Sequence, residues 1–523
     1  MNAEKLSPFD LETPILEFDT SQDTSIWTLR HAVEGVQIFG GIGSGKTSGS
    51  GRSIALKYLS FGFGGLVLTV KPDEKDLWIS YCKEAGRLDD LIILGEKSPN
   101  RFNFIEYESN SGHSGKTYTE NIVQVLKTVI SAAHTKDSSG MSNDGFWEKA
   151  LDMVIFNIID LCLIAYGKIT IQTMYDIAQS LPKDGERAII VHEEWELYVH
   201  QMEIGEKPER ELTAFEEAMI AANKNVMEMI QKYMNANVDN IEALMKGMSY
   251  PEFLKKKFPT ARTYFLLRQF FMESYRSLYE KTRSIIDYTF SEFMYRLLRE
   301  PAYSLFCQGS STVVPEDSLK GKIILLDLSV KTTFKVGRDC QILFKYIWQR
   351  AMERRNVHEN DRPVFLWADE AQNFLHEHDP VYQATARSSR IATVYITQNI
   401  PNYLSAMGGK NSQAKVQGFL GTMATKIFHA NADIETNRYA SDLVGQDYFE
   451  KLDKSMTMSK DISRSRSTSI LLEKVFRPED FVKLKGGSLF NNYIVEGIIH
   501  KQGDPIFGGN NYQKVGFHQI FIP

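Results

Sequence analysis

The sequence predicts an α/β fold in which one parallel or mixed β-sheet is interrupted by a large all-helical insertion. Short β-rich runs alternate with glycine-rich turns and helical stretches between Val36 and Leu94, which is typical of βαβ units. From about Tyr118 to Glu300 the pattern is almost entirely helical, and β-rich runs return from Lys322. We prefer one interrupted sheet to two separate α/β domains, because the two β-rich blocks carry complementary halves of one predicted site.

Length, composition and charge indicate a folded globular chain. Its 523 residues, 43% hydrophobic and 24% charged, suffice for several domains and argue against large-scale disorder. The 60 Lys and Arg against 66 Asp and Glu give a net charge of −6, so any contact with nucleic acid must be confined to particular loops. The four cysteines form no close pair. We therefore expect neither a zinc site nor disulfides, and a reducing compartment.

No segment has the pattern of a secretory signal or a membrane span. The N-terminus has no basic stretch followed by an apolar run, which a signal peptide requires. The most apolar helical segment, 151–166, contains Asp152, Asn157 and Asp160 and falls short of the roughly 18 uncharged residues that a span needs. We therefore expect a cytoplasmic protein without an intrinsic transmembrane span.

The first β-rich block contains a phosphate-binding loop. Residues 40–47 read GGIGSGKT and directly follow the apolar run VQIF, which matches the P-loop pattern in the strand context that it requires. Backbone N–H groups of such a loop face the phosphates, and the next helix presents its positive end. We predict that Lys46 binds the β- and γ-phosphates of ATP and that Thr47 binds Mg²⁺. The predicted nucleotide-binding residues are Gly40, Gly41, Ile42, Gly43, Ser44, Gly45, Lys46, Thr47 and Ser48.

The second β-rich block supplies the acidic partner of this loop. The apolar run 364–368 is followed by Asp369 and Glu370. We predict that Asp369 serves the metal ion and that Glu370 accepts a proton from the attacking water, as in-line phosphoryl transfer requires. Another strand, 391–397, ends before Gln398. Its amide is a candidate sensor of the γ-phosphate, and the alternative is an ordinary polar residue at a strand end.

Taken in order, these motifs resemble those of TraG/TraD-type coupling ATPases of type IV secretion and conjugation, within the FtsK–HerA group of P-loop DNA pumps. The resemblance runs from about Val36 to Leu484 and rests on GGIGSGKT, VLTVKPDEKDLW, DGFWEKAL, GKIILLDLS, LWADEAQNF, ARSSRIATVYITQ, ADIETNRYASDLVG and FRPEDFVKLKGG. About 320 residues separate the P-loop from the Asp-Glu strand, which is similar to the helical insertion of those proteins.

The resemblance implies a RecA-like P-loop NTPase with an all-α insertion domain. The implied domains are an N-terminal extension (1–34), a nucleotide-binding domain in two parts (35–115 and 311–523) and a helical domain (116–310). The turn from Lys71 to Glu74 departs from the Asp-Pro-Lys-Gly-Glu form that is common in the family. We therefore transfer no ligand role to this turn.

The resemblance also implies which residues complete the catalytic site. Gln398 corresponds to the sensor glutamine, and Arg387 corresponds to the arginine proposed to reach the ATP of a neighbouring subunit, with Arg390 as a second candidate. An arginine that acts on a neighbour requires an oligomer, so a homo-hexameric ring is implied. The alternative is that both arginines are solvated surface charges.

In function, the resemblance implies an ATPase that translocates DNA through a ring, with relaxase, relaxosome or secretion-channel proteins as candidate partners. Only about 35 residues precede the first predicted strand, so attachment to the inner membrane would need a partner. Two alternatives remain: a HerA/FtsK-like ATPase of DNA processing or mobile-element defence, and a nucleotide-gated adaptor that recruits protein substrates. The pair Asp369-Glu370 argues against the adaptor.

Contacts with DNA are predicted for basic residues outside the nucleotide site. Arg464 and Arg466 lie in the polar segment 455–469, which we predict to be a mobile loop facing the pore. The lysine triplet 255–257 is a weaker candidate. For both groups the alternative is a solvated basic face.

Overall fold

The computed structural model describes residues 8–19, 24–110, 119–134, 145–183, 211–237, 245, 247–376, 378–409, 411–458 and 462–519. The chain divides into two compact units. The first comprises residues 1–99, 132–139 and 313–523, and the second comprises residues 100–131 and 140–312.

In the described part of the first unit, the strands are β1 (Pro14–Asp19), β2 (Thr24–Thr28), β3 (Val36–Phe39), β4 (Gly64–Leu68), β5 (Leu91–Gly95), β6 (Ile323–Asp327), β7 (Val364–Ala368), β8 (Ile391–Thr397), β9 (Thr425–Phe428), β10 (Gln446–Met458), β11 (Ile462–Lys474), β12 (Ile494–Lys501) and β13 (Tyr512–His518). Nine of these form one sheet in the order β13-β12-β9-β3-β8-β7-β4-β6-β5.

The central sheet is parallel from β9 to β5, and the pair β12 and β13 is antiparallel at one edge. Strands β3, β4, β7 and β8 are buried along their whole length. Their near-continuous apolar sequences suit a parallel sheet covered on both faces. Because β6 lies between β4 and β5, the strands before and after the helical region join one sheet. The predicted fold of one interrupted sheet is confirmed.

Among the described residues, the α-helices in chain order are α1 (Leu29–Val33), α2 (Arg52–Ser60), α3 (Glu74–Glu84), α4 (Phe104–Asn110), α5 (Thr119–His134), α6 (Gly145–Tyr166), α7 (Ile171–Gln179), α8 (Ala214–Ala236), α9 (Tyr250–Lys257), α10 (Pro259–Gln269), α11 (Glu280–Leu297), α12 (Val330–Glu353), α13 (Asp379–Ala386), α14 (Ile400–Met407), α15 (Ser412–Gly421), α16 (Ile434–Val444) and α17 (Pro478–Val482).

The described residues of the second unit form helices and connecting turns, as the sequence predicts. Helix α8 begins at a capping box, in which Glu216 N donates to Thr213 Oγ1 and Thr213 N donates to Glu216 Oε2 at 2.9 Å, so two N–H groups at the helix start are satisfied. Helix α6 ends before Gly167, whose φ of 66° is the left-handed form predicted for a cap. Within the described residues no single helix is long and apolar enough to cross a membrane, although the bent pair Lys149–Tyr166 and Ile171–Gln179 meets that criterion jointly.

Two parts of the first unit differ from the sequence prediction. Strands β1 and β2 pair as an antiparallel hairpin before β3, and Trp27 of this hairpin is buried in the core against Tyr58. The prediction of a mobile loop over residues 455–469 is wrong for the described residues of that segment. They belong to the long hairpin of β10 and β11. Serine alternates with larger residues there, and this period of two is typical of a strand.

Candidate nucleotide site

The glycines of the loop 40–47 allow a close turn at the end of β3. Gly43 and Gly45 have φ angles of 71° and 79°, a region that residues with a Cβ rarely adopt. At Gly45, a Cβ atom would also stand only 2.3 Å from Cγ2 of Val495. Gly41 N donates to the carbonyl of Ala430 at 2.8 Å, so the loop is anchored to the segment that follows β9.

The topology brings the loop and the acidic residues together. Strands β3, β8 and β7 are neighbours and parallel, so the residues after their carboxyl ends meet at one edge of the sheet. Thr47 Oγ1 donates to Asp369 Oδ2 at 2.7 Å. Asp369 is only 4% exposed, and its other oxygen accepts from Glu370 N at 2.8 Å. The structure therefore joins two residues that lie 322 positions apart in the sequence.

Glu370 is held in a defined orientation by its backbone and its side chain. Its φ of 50° is left-handed, a conformation that costs a non-glycine residue roughly 1 kcal/mol or more. Gln372 Nε2 donates to Glu370 Oε2 at 2.8 Å, and Gln398 Nε2 donates to Oε1 at 3.1 Å. Lys46 Nζ stands 4.0 Å from Oε1.

The charge state of Glu370 follows from these contacts. Burial disfavours the carboxylate, but the hydrogen bonds from Gln372 and Gln398 and the positive charges of Lys46 and Lys71 outweigh it and lower the pKa of Glu370. The group is therefore ionised at neutral pH. An ionised carboxylate beside an open cavity is what a proton acceptor requires.

A chain of polar contacts links Glu370 to β8. Thr397 Oγ1 donates to Gln372 Oε1 at 2.8 Å, while the carbonyl of Gln398 accepts from Asn431 Nδ2 at 2.8 Å. Gln398, a predicted sensor residue, thus contacts the predicted proton acceptor directly. Gln372 was not predicted from the sequence, because its contact with Glu370 depends on the left-handed backbone at Glu370.

The loop, Glu370 and Gln398 border one cavity of about 720 Å³. Its lining residues are Ile42, Gly43, Ser44, Gly45, Lys46, Thr47, Ser48, Val70, Lys71, Leu77, Tyr81, Val330, Lys331, Glu370, Gln372, Asn373 and Gln398. The Ser44 hydroxyl is buried and has no hydrogen-bond partner in the described part of the chain. A buried polar group of this kind needs a partner, and a phosphate oxygen would provide one.

The donor set also suits a magnesium ion. The Thr47 hydroxyl and the Asp369 carboxylate are hard oxygen donors, the type that Mg²⁺ prefers, and Mg²⁺ commonly takes its remaining ligands from phosphate and water. These two oxygens therefore fit a metal ion that is bound together with nucleotide. Among the described residues no group of three or more His, Cys, Asp or Glu is arranged to hold a metal.

A buried histidine supports the helix that follows the loop. His429 Nδ1 contacts the carbonyl of Glu496 at 2.9 Å, and Nε2 contacts Ser50 Oγ at 2.7 Å. Because a carbonyl only accepts, Nδ1 carries the proton and Ser50 donates to Nε2. Burial, with a smaller contribution from Lys46, lowers the pKa of His429 to about 4, so the ring is neutral at pH 7.

The two predicted arginines lie at the opposite edge of the sheet. Arg387 and Arg390 precede the amino end of β8, whereas Gln398 follows its carboxyl end. Arg387 is 53% exposed and its Nη1 stands 3.2 Å from Glu34 Oε1. Arg390 is half-buried and donates to the carbonyl of Phe9 at 2.8 Å. Neither arginine lines the nucleotide cavity of its own chain. Arg387 is more exposed than Arg390, so it is the better placed of the two for a contact with another subunit.

The residues predicted to contact DNA are not part of this cavity. Arg464 and Arg466 belong to β11, opposite Met456 and Lys454 of β10, and their side chains lie outside the described residues. The lysines 255–257 form the exposed end of α9 in the second unit.

Comparison with known proteins supports the resemblance that the sequence motifs indicate. Residues 363–486 match the family TraG-D_C, the TraM recognition site of TraD and TraG. The chain is similar to the bacterial conjugative coupling protein TrwBΔN70 in its unbound monoclinic form, with 11% identity, a TM-score of 0.57 and coverage of 95% of this chain and 87% of that one. TrwB bound to the non-hydrolysable ATP analogue ADPNP and TrwB bound to ADP and Mg²⁺ each give 11% identity, a TM-score of 0.54 and coverage of 94% and 87%. None of the curated protein sequences matches this chain.

The shared fold and the family match confirm the resemblance to TraG/TraD-type coupling ATPases. They also confirm the predicted fold class, a P-loop NTPase sheet with an all-helical part.

Proposed function

We propose that this chain is an ATPase that drives DNA translocation, in the manner of a conjugative coupling protein. One observation carries the proposal: Lys46, Thr47 and the oriented carboxylate of Glu370 line the same cavity, and Thr47 is hydrogen-bonded to Asp369. A phosphate-binding loop alone would indicate binding, whereas an oriented carboxylate beside it supports hydrolysis. The same feature weighs against an adaptor that binds nucleotide without turnover.

The residues support a specific reaction path. Lys46 and the backbone N–H groups of the loop bind the β- and γ-phosphates. Glu370 accepts a proton from a water molecule whose oxygen forms a bond to the γ-phosphorus, while the bond from that phosphorus to the bridging oxygen breaks. The products are ADP and inorganic phosphate. Gln398 and Gln372 hold the carboxylate towards the water.

Magnesium is the metal that fits this site. Thr47 and Asp369 would hold Mg²⁺ with the nucleotide phosphates, and the ion supplies positive charge that offsets the charge developing on those phosphates. The hydrogen bond of 2.7 Å between Thr47 and Asp369 keeps both donors oriented.

We propose further that the active form is a ring, a homo-hexamer by resemblance, in which Arg387 reaches the ATP of the next subunit. The exposed guanidinium stands at the sheet edge opposite the P-loop, so a head-to-tail neighbour is needed for it to contact nucleotide. DNA would pass through the pore, contacted by basic residues such as Arg464 and Arg466. The family matched by residues 363–486 is a TraM recognition site, which supports a relaxosome-type partner, with recruitment to the inner membrane by such a partner.

The direct test measures ATP hydrolysis by the purified full chain with and without single-stranded or double-stranded DNA, together with its mass in solution. Mg²⁺-dependent hydrolysis that DNA stimulates, with a mass that rises to that of a ring, supports the proposal. Hydrolysis that neither form of DNA changes would contradict a DNA motor while leaving the ATPase in place. A chain that binds ATP without turnover would contradict both.

A further inference from the structure

Besides Lys46 of the P-loop, two further lysines line the nucleotide cavity, and the P-loop chemistry uses neither of them. Lys46, Lys71 and Lys331 line the cavity. Lys331 is exposed, but Lys71 is half-buried. Within the described residues, no hydrogen bond or ion pair engages the Lys71 ammonium group. A partly desolvated cation without a partner is costly unless an anion joins it.

The backbone around Lys71 is fixed on both sides. Lys71 follows β4, which pairs in parallel with β7, the strand that leads to Glu370. Val70 N donates to Glu74 Oε2 at 2.7 Å, and Val70 O accepts from Ser329 Oγ at 2.7 Å. Glu74 N donates in turn to the carbonyl of Lys71. These hydrogen bonds hold the backbone of the turn, and the side chain of Lys71 remains available to a ligand in the cavity.

Lys71 lines the same cavity as Lys46 and Glu370. Its positive charge acts on the Glu370 carboxylate, so the side chain can meet an anion that is bound in this cavity. Lys46 already supplies one cation to the β- and γ-phosphates. A second fixed cation on the γ-phosphate side would stabilise the charge that spreads over its oxygens as the bond to the leaving group breaks.

We propose that Lys71 is a catalytic residue that contacts the γ-phosphate of ATP bound to the same chain. The inference rests on the proposed ATPase activity and adds a cation supplied in cis, which the sequence motifs do not assign. It implies that a chain without a neighbouring arginine keeps part of its activity.

The test compares steady-state ATP hydrolysis by the full chain and three variants. Lys71→Met should lower kcat by about 10²-fold, the usual loss for one fixed donor that acts in the transition state, with little change in KM. Lys71→Arg keeps the charge and should restore most of the activity. Lys83→Met removes an exposed lysine from α3, outside the cavity, and should match the parent.

The outcomes separate this inference from the proposed function. If the parent does not hydrolyse ATP, the proposed function is wrong. If the parent hydrolyses ATP and Lys71→Met keeps the parental kcat, or raises only KM, the role of Lys71 is wrong and the ATPase stands. Binding of a fluorescent ATP analogue shows whether each variant is folded, and Lys71→Gln serves as the neutral variant if Lys71→Met does not fold.

Discussion

The two edges of the parallel sheet hold their charged residues in different ways. At the carboxyl edge, Lys46 and Glu370 are enclosed and oriented by neighbouring side chains around one cavity. At the amino edge, Arg387 is half-exposed, and Glu34 shares its carboxylate between Arg387 at 3.2 Å and Lys501 at 2.8 Å. Under the proposed function, the carboxyl edge would bind and hydrolyse ATP, and the exposed Arg387 of the amino edge would act on the ATP of a neighbouring chain. Each chain would then contribute to two sites.

The amino edge has a cavity of its own, of about 630 Å³. Its lining includes Arg30, Glu34, Arg387, Lys501 and Asp504, so cations slightly outnumber anions there. In a ring of head-to-tail subunits this edge would face the carboxyl edge of a neighbour. Arg387 would then have to leave Glu34, whose other carboxylate oxygen stands 2.8 Å from Lys501 Nζ.

The largest effect is expected from the proton acceptor at the carboxyl edge. Glu370→Gln keeps the shape of the side chain but cannot accept the proton of the water, so kcat should fall by about 10² to 10⁴-fold, while ATP still binds. Asp369→Asn, its neighbour, should instead raise the Mg²⁺ concentration needed for activity. Hydrolysis rates over a magnesium titration separate the two variants. Parental turnover by Glu370→Gln would move the general base elsewhere.

The P-loop lysine should give the next largest effect. Lys46→Ala removes a cation that stands 4.0 Å from Glu370 and the expected contact with the β- and γ-phosphates, so ATP affinity should fall by at least about 10²-fold, as for a charged hydrogen-bonding group lost from a buried site. Equilibrium binding of a fluorescent ATP analogue measures this directly. An unchanged affinity would show that the cavity is not the nucleotide site.

The sequence predicted the carboxyl edge better than the amino edge, for physical reasons. The P-loop is a contiguous motif, and the rule that parallel strands end at one edge is enough to bring Asp369 to Thr47. Gln372 was missed because its contact depends on the left-handed turn at Glu370, which sequence patterns do not reveal. Lys71 was set aside because its turn departs from the family form, although it follows a strand that ends at the same edge.

Other features of the first unit were missed for two reasons: some depend on contacts between distant residues, and others had a local signal that composition outweighed. The bond between Ser50 and His429 joins positions 379 residues apart. The hairpin of β10 and β11 had a local signal, the alternation over 455–469, but its polar composition favoured a loop. Likewise, the strand β2 was not predicted, although its Trp27 is buried in the core.

Arg387→Ala tests most directly whether the amino edge of one chain contributes to the nucleotide site of its neighbour. If the arginine acts on a neighbour, kcat should fall by about 10²-fold, less than the roughly 10³-fold or more typical of such arginines, because Lys71 remains in cis. Mixing Arg387→Ala with Glu370→Gln should restore part of the activity, since a mixed ring places an intact arginine beside an intact base. Full activity of Arg387→Ala, or a demonstrated mixed ring that stays inactive, would contradict the shared site.

The smallest effect concerns two buried histidines, one at each edge. His429 follows β9 at the carboxyl edge, and His500 pairs with Lys426 at the amino edge. Burial, aided at His500 by nearby lysines, lowers the pKa of each ring to about 4. Unfolded histidine has a pKa of about 6.5, so the unfolded chain takes up these protons first as the pH falls, and the stability that depends on the neutral rings is lost below about pH 6.5.

As the pH falls from 7.5 to 5.5, each histidine should therefore lower the free energy of unfolding by about 1 kcal/mol. His429→Gln and His500→Gln should each reduce the acid dependence of urea-induced unfolding by that amount. Only His429 contacts Ser50, in the helical turn after the P-loop, so only His429→Gln should also weaken ATP binding. Equal losses of ATP affinity in the two variants would mean that the edges are not independent, and an unchanged acid dependence in both would mean that the rings are not the groups that titrate.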